Sequence, residues 1–270
     1  MNSLRFRAAL AGAVSILALQ ACGNAASEPG NAPAGQDAPI VTEVPPAGQL
    51  PTGVSPLAYR LDLKTDPDAE SFGGLVEIDV DLSAPHGRIW LHSVDQDILD
   101  ARAVLPDGTS VPATFTGDQA PGGVSRLDFD TPLPAGPATL ELSYIAPYNF
   151  GLAGLYKAVQ SDTDYLATQM EAIDARRMVP SFDEPRFKTP WTVTVTAPAG
   201  MQVIANGEEI NAKPAEDGWV RHEFAKTRPI QSYLVALAVG PYEERVADPP
   251  FHFETMPVLS LDYFQLLLVS

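Results

Sequence analysis

The chain has one cysteine, Cys22, in 270 residues, so no intrachain disulfide can staple it. Its four histidines are His86, His92, His222 and His252. None forms the i, i+4 pair that a His-Glu-x-x-His zinc helix requires. His86 stands beside Pro85 in a turn, and His92 and His222 fall in strand-like runs, so all read as structural or surface residues. No Gly-x-Ser-x-Gly elbow is present to carry an activated serine. No glycine loop is shaped for phosphate either; Gly122 and Gly123 read as a turn. Cations are scarce, 17 lysines and arginines against 34 aspartates and glutamates, a formal net charge of −17. That balance excludes a general grip on nucleic-acid backbone, which needs a cationic surface. Residues 57–250 show no capped helical period.

What those residues show instead is alternation. Leu61 and Leu63 alternate with Asp62 and Lys64. Val76, Ile78, Val80 and Leu82 alternate with Glu77, Asp79 and Asp81, the pattern of a strand with one buried face. Further strands are expected at 89–91, 99–105, 126–129, 138–145, 191–195, 219–224 and 232–239. Pro106-Asp107-Gly108 supplies a turn between two of them. The expectation is an all-β domain of two packed or saddle-curved antiparallel sheets, a β-sandwich, over residues 57–258. About 200 residues bury a large core without disulfides.

The ends differ from this body. Arg5 and Arg7 precede an apolar run, 8–18, that is too short to cross a bilayer and has signal-peptide proportions. Leu19-Gln20-Ala21-Cys22 resembles a bacterial lipobox, so residues 1–21 are expected to be a signal peptide and Cys22 a lipidation site. Gly23 after the cysteine points to the outer membrane facing the periplasm; a soluble periplasmic protein is the alternative. Residues 22–56, rich in Pro, Gly and Ala, are expected to be a disordered tether that buries too little to offset its ordering entropy. The stretch 259–270, LSLDYFQLLLVS, breaks the alternation. It is expected to be a foreign tail from a truncated or frame-shifted gene, or alternatively a last strand.

One stretch concentrates ions of both signs: 168–188, TQMEAIDARRMVPSFDEPRFK. Pro180, Pro185 and Pro190 keep it from forming a long regular element. Its Thr168, Gln169 and Glu171, then Ala175, Arg176 and Arg177, then Pro180, Asp183, Glu184 and Pro185 resemble a signature of M1-family zinc aminopeptidases, near the end of their N-terminal β-domain. The likeness continues in Gly154 and Tyr156, in the Ala205-Asn206-Gly207 turn and in the 232–240 run SYLVALAVG.

This resemblance implies the fold just described, and a substrate role for Gln169 and Glu171 in holding the free α-amine of a peptide. On one extended face, the two would point the same way. The alternative for Glu171 is an ion pair with Arg176 or Arg177. Arg176, Arg177, Asp183 and Glu184 are expected to form a structural ion-pair loop, and Tyr156 and Phe182 to be core. The family's whole proteins use zinc, but this sequence lacks the ligand helix, so no cofactor and no catalytic residue are expected within it. The implied partners are a peptide N-terminus, bound weakly by this domain alone, a separate catalytic domain, and a membrane reached through a lipid anchor; nucleic acid is not among them. The competing functional reading is a non-catalytic, lipid-anchored β-domain that binds peptides or a protein partner.

Overall fold

The computed structural model describes residues 44–242. The expected signal segment, Cys22, most of the expected linker, His252 and the 259–270 tail lie outside the described residues. Fourteen strands follow in order: β1 (Val54–Lys64), β2 (Ser71–Leu82), β3 (His86–His92), β4 (Asp97–Val104), β5 (Ser110–Ala120), β6 (Val124–Leu133), β7 (Gly136–Pro147), β8 (Gly154–Gln160), β9 (Thr163–Gln169), β10 (Trp191–Pro198), β11 (Gln202–Ala205), β12 (Glu209–Pro214), β13 (Trp219–Phe224) and β14 (Leu237–Gly240). The only helical pieces among the described residues are three short 3-10 turns.

Ten strands form one sheet, in the order β12-β13-β10-β1-β2-β7-β4-β5-β6-β3, and four form another, β11-β14-β9-β8. The sheets are not purely antiparallel as expected. β1 and β10 run parallel, with Tyr59 opposite Trp191 and Lys64 opposite Thr196. Parallel neighbours need a long connection, and here the chain makes eight intervening strands and the charged stretch before it returns. Tyr59 and Trp191 stack with centroids 3.9 Å apart, at the head of this pair.

Alternation explains the core. Val76, Ile78, Val80 and Leu82 of β2 face inward beside Leu140, Leu142 and Tyr144 of β7, all at 2% exposure or less. The same buried cluster reaches the small sheet through Leu155, Leu166, Leu237 and Val239. The outward residues of the large sheet pair across strands: Arg60 with Glu77 and Asp79, Arg102 with Glu141, and Arg221 with Asp62. Half-exposed pairs of this kind contribute little singly; they keep the polar face solvated.

Two boundaries depart from expectation. Upstream of Pro56 the chain is already fixed: Leu50 is buried, its N–H donates to Glu184 Oε1 at 2.5 Å, and Arg186 Nη2 donates to its carbonyl at 2.7 Å. Downstream, the strand expected over 232–239 begins as the 3-10 turn Ser232–Leu234 and becomes β14 only at Leu237. Ser232 is buried there as a hydrogen-bonding group rather than as a strand residue.

Candidate functional site

β9 lies inside the small sheet, paired with β8 from Gly154↔Gln169 to Gln160↔Thr163 and with β14 at Ala167↔Ala238 and Leu166↔Val239. Thr168 Oγ1 accepts the Leu237 N–H at 2.9 Å, which fixes the strand's exit. Met170 then drops into the core at 2% exposure. Its carbonyl accepts the Asp174 N–H at 3.0 Å, closing a turn. Glu171 stands on that turn, not on an extended face shared with Gln169. Gln169 bends inward to the backbone, its Oε1 accepting the Glu171 N–H at 3.0 Å. The Glu171 side chain is exposed, and it has no hydrogen-bond or ion-pair partner among the described residues.

The other acids of the stretch, and Arg176, Arg177 and Arg186, are all engaged. Arg176 and Asp183, at 6% and 1% exposure, form a buried pair, Nε to Oδ2 at 2.8 Å. Arg176 Nη2 also donates to the Asp183 carbonyl at 2.7 Å, and Nη1 to the Gly122 carbonyl. The Asp183 carboxylate further accepts the Ser232 hydroxyl and the Arg176 backbone N–H. Arg177 turns outward, to Asp174 at 2.9 Å and Asp95 at 3.2 Å. Glu184 meets neither of these arginines: it pairs with Arg186 and with the Leu50 N–H. The four residues expected to form one loop network therefore divide into a buried brace, an exposed pair and a link to the linker. Neither Arg176 nor Arg177 takes Glu171.

Gly154 holds this arrangement close. Its φ of +66° suits glycine, and a Cβ there would lie 2.7 Å from Arg177 Cβ. Phe182 is core, and its N–H donates to the buried Tyr59 hydroxyl at 3.0 Å; Tyr156 is half-buried. The sequence pattern did not point to Asp95, Gly122 or Ser232. Two act through a carbonyl or a hydroxyl brought from remote chain positions, which no local motif announces. A cavity of about 420 Å³ opens beside the brace, lined among others by His92, Ile173, Arg176, Glu184 and Arg186.

Among the described residues, no group of three or more His, Cys, Asp or Glu side chains could hold a metal ion. The described histidines, His86, His92 and His222, do not suit one. Burial, with Arg176 and Arg186 adding, pushes His92 down to about 3. His86 Nδ1 lies 2.6 Å from the Ala84 carbonyl and His222 Nδ1 2.5 Å from Glu209.

Comparison with known proteins gives a consistent picture. The family model described as the peptidase M1 N-terminal domain matches residues 55–234. A protein named Aminopeptidase N from Acetobacter pasteurianus is 34% identical over 199 residues, a match covering 72% of this chain and 55% of that protein. An Aminopeptidase N from Haemonchus contortus is 30% identical over 216 residues, covering 72% of this chain and 22% of that protein. A Glutamyl aminopeptidase from Mus musculus is 28% identical over 200 residues, covering 71% of this chain and 21% of that protein. The chain thus spans about half the length of the first relative and about a fifth of the other two.

Proposed function

The chain belongs to the peptidase M1 N-terminal domain family, and from that premise we propose that it is the part of a metallo-aminopeptidase that recognises the free N-terminus of a peptide. The observation that carries this reading is the isolation of Glu171. Every neighbouring acid of the stretch is neutralised or hydrogen-bonded, whereas this carboxylate is exposed and has no partner among the described residues, at the end of a strand held on both edges.

The chemistry suits the assignment. An α-amine with a pKa near 8 is mostly cationic at neutral pH. A carboxylate receives it by a charge-assisted hydrogen bond. An internal peptide bond brings no ammonium, so the site distinguishes the end of a chain from its middle. The Gln169 side-chain oxygen spends one lone pair on the Glu171 N–H and keeps another for the same ammonium. That inward bond also orients the turn on which the carboxylate stands. The resemblance implies a zinc ion for the hydrolysis itself. The described residues do not fit such an ion, and the role proposed for them is to bind and orient the amine. Release of N-terminal amino acids is the activity proposed for a whole protein containing it.

The test joins this domain to a catalytic half. There, Glu171→Ala should lower kcat/KM for free-amine substrates by about 2–4 kcal/mol and leave N-acetylated substrates unaffected. An unchanged ratio of free to blocked substrates removes Glu171 from the site. We also assign Cys22 as a lipid attachment point that places the domain at the outer membrane, facing the periplasm. Labelled palmitate should enter the wild-type chain and not Cys22→Ser; a mature N-terminus elsewhere, with a free amine, overturns it.

A further inference from the structure

The cavity beside the brace has chemistry that the amine-binding reading does not use. Hydrogen-bond accounting shows it. A guanidinium carries five N–H donors. Arg176 places three on Asp183 and the Gly122 carbonyl, which leaves it two. Arg186 places two on Glu184 and the Leu50 carbonyl, which leaves it three. The carboxylates are already engaged: both Asp183 oxygens and both Glu184 oxygens receive donors. His92, at 2% exposure, also lines the cavity, and its Nδ1 has no partner among the described residues. The lining is therefore rich in spare N–H donors, and its two carboxylates are already held by donors of the fold. The lining also includes the apolar side chains Ile173, Val124 and Pro121. A volume of about 420 Å³ falls within the range of about 300–1,000 Å³ typical of small-molecule sites.

We infer that this cavity, walled by the turn that carries Ile173 and by Asp183–Arg186, binds a small carboxylate with an aliphatic body. The carboxylate takes the spare N–H groups of Arg186 and Arg176, a planar donor set that matches its two oxygens. The aliphatic part lies along Ile173 and Val124. His92 is held neutral first by burial and then by the two guanidinium groups, and an anion would offset the positive field of the latter. The same chemistry is offered by a free small acid and by the C-terminus of a peptide.

The experiment uses the full chain with N-acetyl-leucine, N-acetyl-leucine amide and an N-acetylated tripeptide ending in leucine, followed by NMR of the His92 ring and arginine Nε–H signals. All three probes have a blocked amine, so they offer Glu171 no ammonium, and the outcome is independent of the amine site. Saturable binding of N-acetyl-leucine, at least about 10-fold tighter than its amide, is expected. Binding should bring a rise in the His92 pKa. Arg186→Gln, checked for folding by its melting transition, should weaken it about 10-fold or more. Ile173→Glu, at a site 48% exposed, adds a repelling charge without touching either arginine and should weaken it similarly. Binding of the tripeptide as well assigns a peptide C-terminus; binding of the single residue alone assigns a free acid. Equal affinity for acid and amide, no saturable shift, or unchanged affinity in both variants overturns the proposal.

Discussion

Glu171 and Asp183 lie on one short stretch of chain and have opposite surroundings. Asp183 is 1% exposed and accepts from Arg176, from its backbone N–H and from Ser232. Glu171 is exposed, and its carboxylate accepts from nothing among the described residues. A buried charge survives only when its partners meet it at good geometry. An exposed one needs no partner and is free to receive a ligand. Within one motif, then, one carboxylate holds the scaffold and the other is presented by it. The contrast predicts that substitutions at the first change stability and at the second change recognition.

The largest effect should follow loss of Asp183. Asp183→Ala leaves the Arg176 charge buried and unpaired, which costs about 3–5 kcal/mol. Denaturant unfolding measures it, and a shift below about 1 kcal/mol would deny that the pair is a brace. The double substitution Arg176→Met with Asp183→Leu should cost less than the single one, because it removes both charges together.

His92, on the cavity beside the brace, gives the next effect, and it depends on pH. Its folded value of about 3 lies below the unfolded value of about 6.5. Below pH 6.5 the unfolded chain therefore binds a proton that the folded chain refuses. Stability present above that pH is lost as pH falls toward 3, by up to about 1.4 kcal/mol per pH unit. Unfolding midpoints at pH 7, 5 and 4 should fall less steeply in His92→Gln than in wild type. Parallel curves would show that the histidine protonates freely in the fold. Gly154→Ala comes third. The side chain would meet Arg177 Cβ at 2.7 Å, in a backbone region at φ +66°, for a loss of about 1–3 kcal/mol. An unchanged midpoint would mean that the 174–177 turn does not depend on close approach to β8.

How much of this could be read beforehand depended on range. The alternation of β2 and β10 is local, and both strands form where the pattern places them. β12 has an exposed edge and no buried side chain, so its sequence holds no period to read. The parallel pairing of β1 with β10 joins segments separated by most of the domain, and nothing in either segment specifies that direction. The same holds for the site. The residue types of the 168–188 stretch were legible, but their partners were not. Whether Asp183 meets Arg176 or Arg177 is decided by the Gly122 carbonyl and the Ser232 hydroxyl, 54 residues before Arg176 and 49 after Asp183. The turn that lifts Glu171 off the extended face follows from burial of Met170, which alternation alone would place but not fold back.

The smallest expected effect is the one on which the comparison turns. Glu171→Ala removes a carboxylate with no internal partner, so stability should stay within about 0.5 kcal/mol of wild type. A larger loss would reveal a contact made by the folded chain and would make Glu171 structural after all. Binding should change instead, though weakly in this domain alone. An exposed ion pair contributes about 0–1 kcal/mol, and a dissociation constant of 1 mM already requires about 4 kcal/mol. Leucine amide should therefore bind in the millimolar range or weaker, with shifts confined to residues near Glu171 and Gln169. The shifts should be absent for N-acetyl-leucine amide, which lacks the ammonium, and in Glu171→Ala, which lacks the carboxylate. Glu171→Gln separates charge from shape: it keeps a hydrogen-bond acceptor and the side-chain length, so recognition by hydrogen bonding alone would survive in it. If the amine shifts persist in Glu171→Gln at wild-type strength, the carboxylate's charge is not what selects the peptide end. If they vanish while the melting point stays fixed, the charge is the recognising element and the buried pair at Asp183 is only its support.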